Sequence, residues 1–163
     1  MDIKEDPNWE EKIGNDDPKF SGGLRKGSET WSLNGSAQGK IIKELKNKKN
    51  FQGHIYITNW PSMFLAIFVD HVRVVRVLPI DHENTLEHME IYYVGEKAAK
   101  SEKFRSLRKQ NHKLWEDIQK EDVDIIQRMQ IGRNSNSYNG GNFSPDMDNP
   151  THQFHKWVST NLV

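Results

Sequence analysis

The sequence contains no cysteine, and this absence excludes more than any other feature of its composition. Without thiols, these residues hold no disulfide, no thiolate zinc site, no cysteine nucleophile and no cysteine-ligated iron–sulfur cluster. An excess of either charge is also lacking, because 23 Lys and Arg balance 23 Asp and Glu. The basic residues are scattered along the chain, so the sequence lacks the charge pattern of a nucleic-acid-binding protein.

Apolar residues are scarce as well. They make up 34% of the 163 residues, and the mean hydropathy is -0.86, so a single domain of this length has a lean core. Either part of the chain lies outside that core, or other protein completes the fold. No apolar run approaches the roughly 20 residues that span a bilayer, and the N-terminus lacks an apolar signal region. We therefore expect a cytoplasmic protein.

The pattern of residues changes twice along the chain. Residues 1–27 are polar and interrupted by Pro and Gly, which predicts an extended N-terminal arm. Residues 28–94 contain short runs of β-branched and aromatic residues separated by turn residues, which predicts consecutive antiparallel strands. One of these runs, Met63–Val69, is continuously apolar, as expected of a strand covered on both faces.

The last third of the chain is predicted to be helical. Residues 97–131 contain neither Pro nor Gly, and apolar residues recur every three or four positions, which predicts one long helix or two joined ones. Gly132 is placed to cap this helix, and a short amphipathic helix is predicted after Pro150. The fold class is therefore α+β, with about five or six antiparallel strands packed by helices.

One acidic residue interrupts the apolar stripe of the predicted long helix, meaning the line of apolar side chains along one of its faces. Ile118 belongs to this stripe, the next position on it is Asp122, and the one after that is Ile126. A buried carboxylate without a partner is costly, so Asp122 is expected to be compensated. A metal ion is one candidate partner. An arginine or several backbone donors would serve equally, and helical phase alone does not choose between them.

A series of short motifs runs through the last third of the chain: Glu121–Asp122–Val123, Gln130, Gly132, Gly141, Ser144–Pro145 and Phe154–His155–Lys156–Trp157. Their order and spacing resemble the C-terminal end of Rieske-type ring-hydroxylating non-haem iron oxygenase α subunits. Residues 27–32 and 53–80 are also similar to the sheet of that family. The resemblance covers about residues 22–163, which is nearly the whole chain.

The resemblance implies the C-terminal part of a helix-grip catalytic domain, spanning residues 28–163. In that family, two histidines and one carboxylate hold a mononuclear Fe(II) beside a substrate pocket. The carboxylate corresponds to Asp122, and Asn111, three turns earlier on the same stripe, is a candidate for orienting it. The family also implies a [2Fe–2S] Rieske cluster, a small organic substrate, and frequent assembly into trimers.

Two parts of the family pattern are missing. The Rieske cluster requires cysteines, and the two histidine ligands belong upstream of the strands, so we expect the chain to begin after them. His82 and His88 have a suitable spacing, but they fall in a turn and a strand rather than on the metal-binding helix. We therefore expect the isolated chain to bind no stoichiometric iron and to be inactive as an oxygenase.

Three functional hypotheses remain. The first is an oxygenase fragment, or one half of a split enzyme whose complementing chain carries the Rieske domain and the histidines. The second is a helix-grip module that binds a hydrophobic ligand without catalysis. The third is a structural partner or a decayed remnant. The sequence identifies neither the substrate nor the choice between mono- and dioxygenation.

Overall fold

A five-stranded antiparallel sheet forms the centre of the fold, with its strands in the order β1-β2-β3-β4-β5. The computed structural model describes residues 19–20, 30, 32, 35–37, 39–46, 54–145 and 148–161. The strands are β1 (Lys19–Phe20), β2 (His54–Asn59), β3 (Met63–Phe68), β4 (His71–Pro79) and β5 (Thr85–Tyr93). Consecutive strands from β2 to β5 are neighbours because each is joined to the next by a short turn. The predicted meander is confirmed for these four strands.

The turn between β4 and β5 shows how local chemistry sets the register. The Asp81 carboxylate accepts hydrogen bonds from the backbone N–H groups of Glu83 and Asn84, at 2.8 and 2.7 Å. The Glu83 bond is the largest cause of a lowered pKa at Asp81, since it favours the charged carboxylate. This side-chain turn closes a hairpin in which His71 lies opposite Tyr93 and Pro79 lies opposite Thr85.

The described residues contain four helices beside the sheet: α1 (Lys43–Lys46), α2 (Glu96–Lys100), α3 (Arg105–Arg133) and α4 (Asn149–Asn161). The single-turn 3-10 helix Glu102–Phe104 joins α2 to α3. The predicted cap at Gly132 is wrong, because α3 continues through Gly132 to Arg133 and Asn134 forms the cap. Gly132 is not among the glycines with positive φ, which a glycine cap of that kind requires.

The core lies where α3 crosses one face of the sheet. Trp115 on α3, and Ala66 and Phe68 on β3, form the buried cluster, and Tyr56, Met89, Ile91 and Ile118 pack around it. The Arg73 guanidinium lies 4.5 Å from the centroid of the Trp115 ring, so a cation–π contact adds to the apolar packing. The predicted α+β class, an antiparallel sheet packed by a long C-terminal helix, is thereby confirmed.

Helix α4 packs against the turn between β2 and β3. The Trp60 ring in this turn lies 6.0 Å from Phe154 and 6.1 Å from Trp157.

Of the helices that the structure describes, none combines the length and the apolarity that crossing a bilayer requires. The predicted boundary between the arm (1–27) and the domain (28–163) lies largely outside the described residues, although β1, within the arm, pairs with β2.

Candidate functional site

Asp122 lies in the second half of α3, and its side chain is exposed. The predicted burial of this carboxylate is therefore wrong for the chain as it stands. The helical phase itself is correct, because Trp115 and Ile118 on the same stripe pack against the sheet. Every residue from 121 to 129 is exposed. The apolar stripe therefore continues along the helix beyond the part that packs against the sheet.

The Asp122 carboxylate, like that of the adjacent Glu121, has no described ion-pair partner, whereas other acidic side chains of α3 do. Asp124 pairs with Arg128 at 2.7 Å, and Glu116 pairs with Lys120 at 2.6 Å. Among the residues that the structure describes, none forms a hydrogen bond or an ion pair with Asp122. The positions three and four residues away that could supply a partner are apolar or amide side chains, not cations.

Exposed apolar side chains surround Asp122. Ile125, Ile126 and Met129 are 57%, 59% and 50% exposed, and all three project within about 60° of Asp122 around the helix axis. On the helix-facing side of β3, Phe64 is 42% exposed, whereas Phe68 on the same strand is fully buried. The second half of α3 thus presents an apolar surface with one carboxylate in its middle.

A chain of polar contacts holds α3 to the sheet one turn before Asp122. The Arg73 guanidinium on β4 donates a hydrogen bond to the side-chain Oε1 of Gln119. The side-chain Nε2 of Gln119 in turn donates to the Glu87 carboxylate on β5. Burial lowers the pKa of Arg73, while Glu87 acts in the opposite direction. These contacts fix the rotation of the helix about its axis and therefore the direction in which Asp122 projects.

Asn111 does not lie beside Asp122. The two residues are separated by eleven positions on one helix, which corresponds to about 16 Å along the axis. Asn111 is fully buried, and its side-chain amide donates to the Tyr93 hydroxyl at 3.2 Å. Burial is also the main reason why the pKa of Tyr93 is raised. The predicted role of Asn111 in orienting Asp122 therefore has no support in this geometry.

A buried polar cluster lies at the β3–β4 turn, where the sequence indicated only turn residues. The Thr30 hydroxyl donates to Asp70 Oδ1 at 2.5 Å, and the same oxygen lies 2.8 Å from His71 Nδ1. All three side chains are at most 1% exposed, and the His71 ring stacks on Phe68. Reasoning from sequence missed this cluster, since its hydrogen-bond donor Thr30 lies forty residues away.

His54 lies close to this cluster, and its ring is 5.4 Å from that of Phe68. Burial lowers the pKa of His54 from 6.5 to about 4, because the charged imidazolium loses its hydration. His54 is therefore neutral at neutral pH. Its environment is that of a core residue on the first strand of the meander.

The comparison with protein families decides what kind of domain this is. The sequence model described as ring hydroxylating alpha subunit (catalytic domain) matches residues 10–162, which is most of the chain. The chain belongs to that family. A comparison with curated proteins finds no match. The chain accordingly carries a ring hydroxylating alpha subunit catalytic domain.

The family implies non-haem iron, so the residues of this ring-hydroxylating domain can be tested as ligands. Iron of this class requires two imidazoles and a carboxylate close together. In the part of the chain that the structure describes, no group of three or more His, Asp or Glu side chains is arranged to hold a metal ion. The described residues therefore show no complete iron site, and Asp122 as one ligand of such a site stays a prediction.

Among the described residues, the remaining histidines form no metal-binding group with Asp122. His82 is in the exposed β4–β5 turn, and His88 is exposed on β5 with its Nδ1 3.2 Å from an Arg76 nitrogen. The helical histidines His152 and His155 pack against the Phe143 ring at 4.9 and 5.2 Å. His155 of the Phe154–His155–Lys156–Trp157 motif thus has a packing contact with an aromatic ring.

An open apolar depression of about 420 Å³ lies near the opposite end of α3. Its lining includes Gly39, Val94, Ala98 and Phe104. Phe104 precedes Asp122 by eighteen positions, or about 27 Å of helix, so this depression is not part of the candidate iron site. Between the sheet and the first half of α3, Trp115 packs against Phe68.

Proposed function

We propose that this chain is the C-terminal catalytic portion of a Rieske-type α subunit, in which Asp122 supplies the carboxylate ligand of a mononuclear Fe(II) site. Two histidine ligands and the [2Fe–2S] cluster come from other polypeptide, which is either further residues of a longer chain or a complementing chain. The absence of cysteine from these 163 residues is consistent with that division.

The observation that carries the proposal is the setting of Asp122. Its carboxylate has no described partner, and it lies on the stripe that packs against the sheet one and two turns earlier. An anionic side chain in the middle of an apolar surface becomes costly as soon as that surface is covered, unless a cation is covered with it. Bound iron is such a cation, and the covering histidines would bring it.

The substrate would lie against the same surface. Ile125, Ile126 and Met129 on α3, together with Phe64 on β3, provide exposed apolar side chains for a small organic molecule. The iron would supply the activation of O2, and this chain would supply one ligand and part of the pocket wall. Trimeric assembly and a cytoplasmic location remain predictions.

The alternative is a module that binds a hydrophobic ligand without catalysis. The apolar depression near Phe104 is open to solvent and distant from Asp122, so it does not favour a ligand enclosed between helix and sheet. Retention of an apolar ligand by the purified chain, with no iron in any combination of chains, would favour this alternative over the oxygenase.

Iron stoichiometry tests the proposal. We expect the purified chain alone to contain no stoichiometric iron, since one carboxylate does not hold Fe(II) tightly. Mixed with a polypeptide that carries the cysteine–histidine cluster motif and the histidine pair of the family, it should retain about one additional iron per pair of chains. One iron bound by the chain alone, or none gained in a stable complex, would contradict the proposal.

A further inference from the structure

The loop that joins α3 to α4 contains an asparagine followed directly by a glycine, Asn139–Gly140. Residues 138–143 belong to no helix or strand, and every one of them is exposed. A Cβ atom placed on Gly140 or Gly141 would have no neighbour within 4 Å. The backbone and the side chain of this pair are therefore accessible to water on the chain as it stands.

An asparagine in this position can react with its own backbone. The nitrogen of the next residue attacks the side-chain amide carbon of the asparagine, so that a ring N–C bond forms, the C–NH2 bond breaks, and ammonia leaves with the displaced proton. Water then opens the five-membered succinimide ring at either carbonyl, which yields aspartate or isoaspartate. Glycine permits the attack best because no Cβ atom crowds its nitrogen. The reaction requires only water.

Two other asparagines of the same loop precede serine, which is also small, and the structure restrains the nitrogen that would attack each of them. Asn134 precedes Ser135, whose N–H donates to the Gly132 carbonyl oxygen at 3.1 Å. Asn136 precedes Ser137, whose N–H donates to the Ser135 hydroxyl at 3.3 Å. Attack by either nitrogen would require the loss of its hydrogen bond.

Asn139 differs from both of them. The last hydrogen-bonded turn before it ends at Tyr138, whose N–H donates to the Ser135 carbonyl oxygen at 3.0 Å. Among the residues that the structure describes, none forms a hydrogen bond with the Asn139 side chain or with the Gly140 nitrogen. Gly140 also has a φ of 93°, a conformation that favours glycine. The reactive pair is thus combined with an unrestrained attacking nitrogen.

A second asparagine–glycine pair in the chain provides an internal comparison. The Gly35 N–H donates to the Ser32 carbonyl oxygen at 3.1 Å, so the nitrogen that would attack Asn34 is hydrogen-bonded. Asn34 itself lies outside the described residues. The two pairs have the same sequence, and the hydrogen bond at Gly35 therefore predicts a slower reaction at Asn34 than at Asn139.

We propose that Asn139 is a site of spontaneous deamidation, at which the Gly140 nitrogen forms a succinimide that hydrolyses to aspartate and isoaspartate. The product adds one negative charge to a chain whose formal net charge is zero. Isoaspartate also adds a methylene group to the backbone of the loop between α3 and α4. The proposal concerns the chain as purified, and it depends neither on Asp122 nor on iron.

Peptide mapping of the full chain tests the site. The chain is incubated at mildly alkaline pH, which favours attack by the backbone nitrogen, and is then digested with trypsin. Cleavage after Lys26, Lys40, Arg133 and Lys156 places the two asparagine–glycine pairs in separate peptides, 27–40 and 134–156. Fragmentation in the mass spectrometer then locates the converted residue. We expect both aspartate and isoaspartate at Asn139, formed at least about ten-fold faster than at Asn134 or Asn136.

Two alanine variants test the mechanism. Gly140→Ala places a Cβ atom beside the attacking nitrogen, so conversion of Asn139 should slow by at least about ten-fold. Gly141→Ala adds the same methyl group one residue later, where the structure has equal space, and should leave the rate as in the wild type. Because the φ of Gly140 disfavours alanine, Asn139→Gln provides a second variant. Its longer side chain would have to close a six-membered ring, so position 139 should stay intact.

The outcomes decide the proposal. An Asn139 that stays intact while Asn34, Asn134 or Asn136 is converted would overturn it. Equal rates in Gly140→Ala and Gly141→Ala would exclude attack by the Gly140 nitrogen and would overturn it as well. Circular dichroism of each variant establishes that the fold is retained, and the iron measurements on complemented chains are unaffected by either result.

Discussion

The two halves of helix α3 differ in what covers them, although one stripe of residues runs through both. In the first half, Asn111 and Trp115 are buried against the sheet. In the second half, all residues from 121 to 129 are exposed, including several large apolar ones. The comparison teaches that helical periodicity identifies residues that share a face but not whether anything covers that face.

The largest difference in the effect of a substitution on the free energy of unfolding is expected between two phenylalanines of β3. Phe68 is fully buried and Phe64 is 42% exposed, and both side chains project to the same face of the sheet. Phe68→Ala should lower the free energy of unfolding by about 4 kcal/mol, because a cavity replaces a core ring. Phe64→Ala should cost less than about 1.5 kcal/mol, as measured by denaturant titration. Equal losses would mean that the chain covers both regions alike.

A second comparison uses two aspartates. Asp70 is buried with Thr30 and His71 as partners, whereas Asp122 is exposed without a described partner. Asp70→Ala should cost roughly 3 kcal/mol, since it leaves buried polar groups unsatisfied. Asp122→Ala should change the stability of the isolated chain by no more than about 0.5 kcal/mol. A large loss at Asp122 would show that this carboxylate has a structural role.

The third prediction concerns the pH dependence of stability, which we expect to arise in part from His54 in the buried region. The pKa of His54 is lowered to about 4 in the folded state, so the unfolded state binds more protons at this residue between about pH 6.5 and pH 4. Stability should fall as the pH is lowered through this window, by on the order of 3 kcal/mol from His54, and the contribution should level off below it.

Comparison with variants isolates the His54 contribution from that of the carboxylates. His54→Gln should flatten the pH dependence of the melting temperature between pH 6.5 and pH 4. His112→Gln, which changes an exposed histidine of α3, serves as the control and should leave the dependence as in the wild type. An unchanged pH profile in His54→Gln would count against the burial of this ring.

The smallest effect is expected on the uncovered stripe. Ile126 is 59% exposed, so Ile126→Ser should change the stability of the isolated chain by less than about 0.5 kcal/mol. The same change should weaken association with a complementing polypeptide, because a partner would bury that side chain. If Ile126→Ser lost stability as an isolated chain but still bound the complementing polypeptide as tightly as the wild type, Ile126 would belong to the covered part of α3 and not to the uncovered part.

The sequence allowed a good prediction of the elements that depend on local pattern. Strands β2 to β5 lie within the predicted strand region 28–94, and β3 (Met63–Phe68) matches the predicted run Met63–Val69 to within one residue. The ring-hydroxylating family was also correctly inferred from the order of short motifs. Gly132 was misassigned because a glycine near a helix end does not by itself terminate the helix, and Asn134 does so here.

The parts that depend on distant contacts were not predictable. Asp70 and His71 follow an apolar run and resemble exposed turn residues, but Thr30 and Phe68 bury them. Asp122 was expected to be buried because its stripe is apolar, yet burial depends on what lies opposite, which one helix does not reveal. Asn111 shares the helical phase of Asp122, but its contacts are with Tyr93.

The most direct test of Asp122 as an iron ligand is the iron content of the complemented complex in two matched variants. Asp122→Asn removes the charge of the proposed ligand, and Asp124→Asn makes the same change two residues later, at a carboxylate paired with Arg128. We predict that iron is lost in Asp122→Asn and retained in Asp124→Asn, while both chains still form the complex. Iron retained in Asp122→Asn would contradict the account.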